Sequence, residues 1–193
     1  MPAAGNAAPV VPVPARAVAD TPIDAYDNRF EPTVPQVPRG GTVVFHFLGP
    51  SSHLATDTLL GLYDSGLVPA HGPDTSYTFT AAGVYPFNCF LHIEDGMTGR
   101  IHVPMQARPT KGSLKRAYTL TWASTEAAPG FAYDVRLKRP GHTWSAWRSS
   151  VGDRNGTYQP HAGKGVYRFQ ARLRRTDTGD ASLWSDAVTI TVS

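Results

Sequence analysis

The stretch from residue 85 to 103 reads YPFNCFLHIEDGMTGRIHV and holds Cys89, His92 and Met97 in the pattern Cys-x2-His-x4-Met. Thiolate and thioether are soft donors and imidazole is borderline, a set that suits copper cycling between Cu(I) and Cu(II). A second imidazole would complete a plane of two nitrogens and one sulfur with the thioether as a weak axial partner. His53 is the best placed to supply it, because it closes the loop GPSSH at 49–53 directly after an alternating apolar run. Cys89 is the only cysteine. An internal disulfide is therefore excluded, and in an oxidising compartment the thiol stays reactive unless something such as a metal occupies it. His46, His71, His102, His142 and His161 lack comparable company. His46 and His102 fall inside strand-like runs and are expected at the surface or a sheet edge; none of the five is expected as a ligand.

These donors need a scaffold that brings distant loops together. Runs at 42–48, 76–80, 84–89 and 99–103 alternate in the manner of half-buried strands, with turn signals at 38–41, 72–74 and 81–83. No segment has convincing helical periodicity, although 57–63 has room for a short turn. A second strand series follows at 118–122, 132–138, 165–174 and 187–192. The pattern predicts an all-β chain built as antiparallel sandwiches, in which loops at one end cluster although they are far apart in sequence. Its 193 residues suit two such units. The expected division is an Ala/Pro-rich spacer at 1–20, a first domain at 21–105, a linker at 106–112 and a second domain at 113–193.

The first domain resembles the plastocyanin and pseudoazurin branch of the cupredoxins. The resemblance rests on DNRFEP at 27–32, VPRGGTVVF at 37–45, His53, GVY at 83–85 and above all Cys89-x2-His92-x4-Met97-x-Gly99. It implies a Greek-key sandwich with one blue copper ion per chain and one-electron transfer to redox protein partners. It also implies that His92 turns a ring edge toward the surface as the electron port, with Leu91, Ile93 and Pro50 as apolar neighbours. The family places Asn directly after the first ligand histidine, where it ties the two ligand loops together; here that position is Leu54. The second domain resembles a fibronectin type III domain through LTW at 120–122, YDV at 133–135, Trp144 to Trp147, YRFQAR at 167–172 and Trp184-Ser185. Trp122, Trp144, Trp147 and Trp184 are accordingly expected to pack in the core or on a sheet rather than stack on sugars.

Charge divides the chain as well. Residues 1–108 carry five Arg and no Lys against nine Asp/Glu, a net of −4; residues 109–193 carry thirteen Lys/Arg against six Asp/Glu, a net of +7. Arg136, Lys138, Arg168, Arg172 and Arg174 fall on outward positions of two runs that a fibronectin-like fold makes neighbours. They predict a cationic ladder that is either a solvated face or a dock for an anionic cell-surface polymer, a headgroup layer or an acidic redox partner. No apolar stretch reaches the about 20 residues of a membrane-spanning helix. The N-terminus lacks the basic and apolar regions of a signal peptide, and a secreted, periplasmic or cell-surface location is expected with any signal already removed. Nucleic acid is not expected as a partner in such a location.

Four protein ligands leave no open position for hydrolytic chemistry, so an enzyme is not expected. The missing His-Cys-His tripeptide and paired His-x-His motifs argue against a multicopper oxidase. Copper buffering or delivery, and adhesion through the second domain, remain the competing readings.

Overall fold

Alternation of apolar and polar residues becomes fifteen strands in the computed structural model, which describes residues 19–193. All but the last two residues of the expected 1–20 spacer lie outside the described residues. The first seven strands are β1 (Thr21–Tyr26), β2 (Arg29–Glu31), β3 (Gly41–Phe47), β4 (Thr56–Asp57), β5 (Thr75–Phe79), β6 (Gly83–Asn88) and β7 (Thr98–Val103). They form a four-stranded sheet ordered β2-β1-β3-β5 and a three-stranded sheet ordered β4-β6-β7. Strands β1 and β3 run parallel, with Ile23 opposite Phe45, whereas the other pairs in these two sheets are antiparallel. The inward residues follow the period of two: Val43, Phe45 and Phe47 from β3 meet Tyr85 and Phe87 from β6, and all are buried. Phe45 and Phe87 meet edge-on with centroids 5.3 Å apart, and Phe30 packs edge-on against Phe87 at 4.9 Å. Such offsets suit the ring quadrupoles.

The remaining strands are β8 (Gln106–Arg108), β9 (Lys111–Gly112), β10 (Tyr118–Thr121), β11 (Phe131–Lys138), β12 (Trp144–Val151), β13 (Asn155–Tyr158), β14 (Gly165–Arg175) and β15 (Val188–Val192). Three of them form a sheet ordered β13-β10-β8, and five form a sheet ordered β12-β11-β14-β15-β9. Residues 106–112, expected as a linker, thus contain two short strands: β8 pairs with β10 and β9 with β15. Polar composition and Pro109 conceal this, because both segments are too short to show a periodicity and draw their pairing from neighbours far along the chain. Trp122 lies at the centre of the second core, fully buried, with Nε1 donating to the Asp153 carbonyl at 2.6 Å. Trp147 packs edge-on against Trp122.

The two sandwiches are stitched by backbone. The Ala82 N–H donates to the Trp122 carbonyl at 2.7 Å, the Ser124 N–H donates to the Thr80 carbonyl at 2.8 Å, and Val84 and Leu183 exchange both bonds at 3.0 Å. Ala81, Ala82 and Met105 bury their side chains in the second core rather than the first. No helix among the described residues is long and apolar enough to cross a membrane.

Candidate metal centre

Three elements deliver the candidate ligands. Strand β6 ends at Asn88, and Cys89 follows it, fully buried. A single 3-10 turn, Phe90–His92, then reverses the chain so that His92 returns beside the cysteine. The loop closes on itself: the Met97 N–H donates to the His92 carbonyl at 3.1 Å and the Cys89 N–H donates to the Met97 carbonyl at 3.0 Å. Gly96, at φ +82°, occupies the left-handed position that this closure requires, where a side chain is strained. His53 arrives from the loop after β3 and is held by a two-way bridge with Val68, at 2.9 and 2.8 Å. That bridge joins residues 15 apart within an irregular segment, which gives it no sequence signature.

The result is a closed group. Cys89 Sγ lies 3.9 Å from His53 Nδ1 and 3.5 Å from His92 Nδ1, and the two imidazole centroids are 4.9 Å apart. The three donor atoms fall within 4.8 Å of one another. Nitrogen and sulfur ligands stand about 2.0 and 2.3 Å from a bound transition ion, so donors arranged trigonally around one ion are separated by about 3.5 to 4 Å. The spacing therefore fits a single ion. Met97 is fully buried in the first core, on the loop that carries Cys89 and His92. Burial, reinforced by nearby His92, pushes the His53 pKa down against the opposing pull of Asp27. That shift favours the neutral ring, the form that offers a lone pair to a metal.

His92 is half-buried, with exposed apolar residues beside it in sequence and the exposed acids Glu94 and Asp95 further along the loop. Leu91 and Ile93 are exposed at 52% and 44%, as is Pro50. Phe90, which the sequence does not single out, is more exposed than either, at 72%. Leu54 packs against the first core and has no amide to tie the ligand loops. Of the histidines set aside as ligands, His46 pairs with Asp74 at 2.9 Å and His102 with Asp186 at 2.8 Å, the latter across the two sandwiches.

The five cations do share the β11–β14 register, with Lys138 opposite Arg168 and Asp134 opposite Arg172. The face they make is not an open cationic ladder. Arg172 Nε and Arg174 Nε both donate to Asp134 Oδ2, at 3.1 and 3.0 Å. Arg136 donates twice to Gln170 Oε1 and has ring contacts to both Trp144 and Trp184, at 4.7 and 4.4 Å from the guanidinium carbon. Asp134, only 7% exposed, is the residue that charge counting missed.

No protein-family model and no curated protein sequence matches the chain. Among solved structures the chain is similar to a purple cupredoxin from Nitrosopumilus maritimus, at 20% identity over 44% of this chain and 99% of that one, with a TM-score of 0.40. It is similar also to oxidised plastocyanin from Dryopteris crassirhizoma, at 18% identity over 44% of this chain and all of the other, with a TM-score of 0.38. An oxidised amicyanin variant matches at 22% identity over 44% of this chain and 81% of its own, with a TM-score of 0.37.

Proposed function

We propose that this chain is a type 1 copper protein that carries single electrons between redox proteins outside the cytoplasm, with His53, Cys89, His92 and Met97 as the ligands of one copper ion. The observation that carries this reading is the convergence of the His53, Cys89 and His92 donor atoms within 4.8 Å, with Met97 buried on the loop that carries Cys89 and His92. A thioether in the set favours copper over zinc, whose usual ligands are thiolate, imidazole and carboxylate. Copper, when bound, supplies a one-electron couple.

The protein's residues then do three things. The fully buried His53 and Cys89 keep water from the centre. The loop closure between Cys89 and Met97 holds the donors in one arrangement, so little has to move when the charge changes. Phe90, Leu91 and Ile93, exposed beside His92 in the chain, offer apolar surface that suits the small, short-lived contacts of redox encounters. The second sandwich is proposed as a fibronectin type III-like unit, supported by Trp122 at its core and by the three-against-five arrangement of strands. An anionic surface as its partner rests on Lys138 and Arg168 and on the net charge of residues 109–193, since Arg172 and Arg174 are engaged by Asp134.

Copper added to the purified protein, followed by cycles of oxidant and reductant, tests the reading. The expected result is a strong visible band that disappears on reduction and returns on oxidation, is absent in Cys89→Ala, and exchanges rapidly with a small redox protein. Tight copper binding without reversible cycling would instead favour storage or delivery.

A further inference from the structure

His53 has two ring nitrogens, and only one faces the cluster. Nδ1 points to Cys89 Sγ. Nε2 is buried, makes no hydrogen bond, and has Asp27 Oδ1 3.5 Å away. We propose that Asp27 is the positioning residue of the metal centre: its carboxylate is the acceptor for the Nε2–H of His53, fixes which nitrogen faces the ion, and places a negative charge one imidazole away from it. This rests on the copper reading above and assigns a role to a residue outside the ligand set.

Several features converge on this carboxylate. Asp27 belongs to the turn between β1 and β2, where Asn28 holds the left-handed conformation at φ +61°. Oδ1 also accepts the Ser51 N–H at 3.3 Å, so one oxygen faces both the start and the end of the His53 loop. Gly49 makes the approach possible: a Cβ there would lie 2.9 Å from His53 Nε2 and 3.0 Å from Asp27 Oδ1. The Gly49 N–H donates to the Ala25 carbonyl at 3.0 Å, which seats the loop on β1. With Leu54 unable to tie the loop from one side, Asp27 ties it from the other.

The physical consequence follows from the ring. When Nδ1 gives its lone pair to a metal, the proton must stand on Nε2, and a carboxylate is the strongest neutralising acceptor for it. A separation of 3.5 Å exceeds a formed hydrogen bond by roughly half an ångström, a gap that a small ring shift closes. The Asp27 side chain is 45% exposed and reaches the buried Nε2 from the solvent side. Negative charge here stabilises the oxidised ion more than the reduced one and lowers the reduction potential.

Three variants of the full chain test this. Asp27→Asn keeps an acceptor oxygen without the charge, Asp27→Ala removes both, and Asp74→Asn removes a carboxylate from the exposed pair with His46 as a charge control. In Asp27→Asn the oxidised-to-reduced preference should fall about tenfold, a rise of about 59 mV for one electron, with copper release unchanged. Asp27→Ala should rise at least as far and lose copper about ten times faster or more, and Asp74→Asn should match the wild type. Equal potentials in wild type and both Asp27 variants, or an Asp74→Asn shift as large as that of Asp27→Asn, would overturn the assignment.

The metal-free protein separates this claim from the copper reading. Nitrogen NMR should show His53 protonated at Nε2 in wild type and Asp27→Asn but shifted toward the other tautomer in Asp27→Ala. If that difference is seen and copper never gives the thiolate band, the copper reading fails and the Asp27 contact stands. Unchanged His53 nitrogens in Asp27→Ala remove the contact itself.

Discussion

Asp134 is buried in the β11–β14 face, where Arg172 and Arg174 of β14 supply its ion pairs, and its environment decides its state. Burial raises its pKa, but the Ser150 N–H and the Arg174 and Arg172 guanidinium groups together outweigh that and hold it below the usual carboxylate range. A depressed carboxylate contributes stability that is fully present above its unfolded pKa of about 3.9 and is lost as pH falls through the folded value. Asp134→Asn should therefore destabilise the protein by about 2 kcal/mol at neutral pH, since two guanidinium groups and a backbone donor lose their anion. Urea unfolding at stepped pH checks this: the gap between wild type and variant should narrow as pH falls below about 3.9. The two arginines are 32% and 20% exposed, which keeps the figure below that of a fully buried triad.

At the scale of elements, the ligand loop depends on how closely β6 and β7 approach. Phe87 is directly opposite Gly99, and a Cβ on Gly99 would come within 2.3 Å of the Phe87 ring and 2.9 Å of the Thr33 carbonyl oxygen. Phe87 lies two residues before Cys89 and Gly99 two after Met97, so one clash disturbs both ends of the loop. Gly99→Ala should cost about 1 to 3 kcal/mol by overpacking and weaken copper retention in the same variant. Denaturant midpoints read the first effect and competition with a copper chelator the second.

The longer strands were legible because each alternates over five or more residues with one face buried, as in β3 and β14. Cys89, His92 and Met97 were legible because their spacing is local. What escaped was set by contacts between distant residues. Strands β8 and β9 are paired by partners elsewhere in the second sandwich, and the fold of the His53 loop depends on Val68 and Asp27. Charge counting likewise saw five outward cations and not the buried aspartate that binds two of them.

Across the whole molecule, the two sandwiches behave as one body if their junction is as continuous as its hydrogen bonds. Strand ends trade backbone bonds at Thr80, Ala82 and Val84, and Leu173 packs against both cores. A polar, bond-poor junction would allow the usual relative motion of domains. Here Gly83 marks the tightest point, where a Cβ would meet Ser182 Oγ at 2.5 Å. Calorimetry of the wild type should give one transition with equal calorimetric and van't Hoff enthalpies. Gly83→Val should split it into two, with the copper-stabilised transition the later one; two transitions already present in the wild type would refute the continuous junction.

X-ray absorption of copper in the full chain tests the central claim most directly, because it reads the ligand atoms themselves. With one equivalent of copper bound, a shell of one short sulfur and two imidazole nitrogens is expected, with the sulfur lost in Cys89→Ala and one nitrogen lost in His53→Ala. A shell of nitrogen and oxygen alone, unchanged in Cys89→Ala, would contradict it.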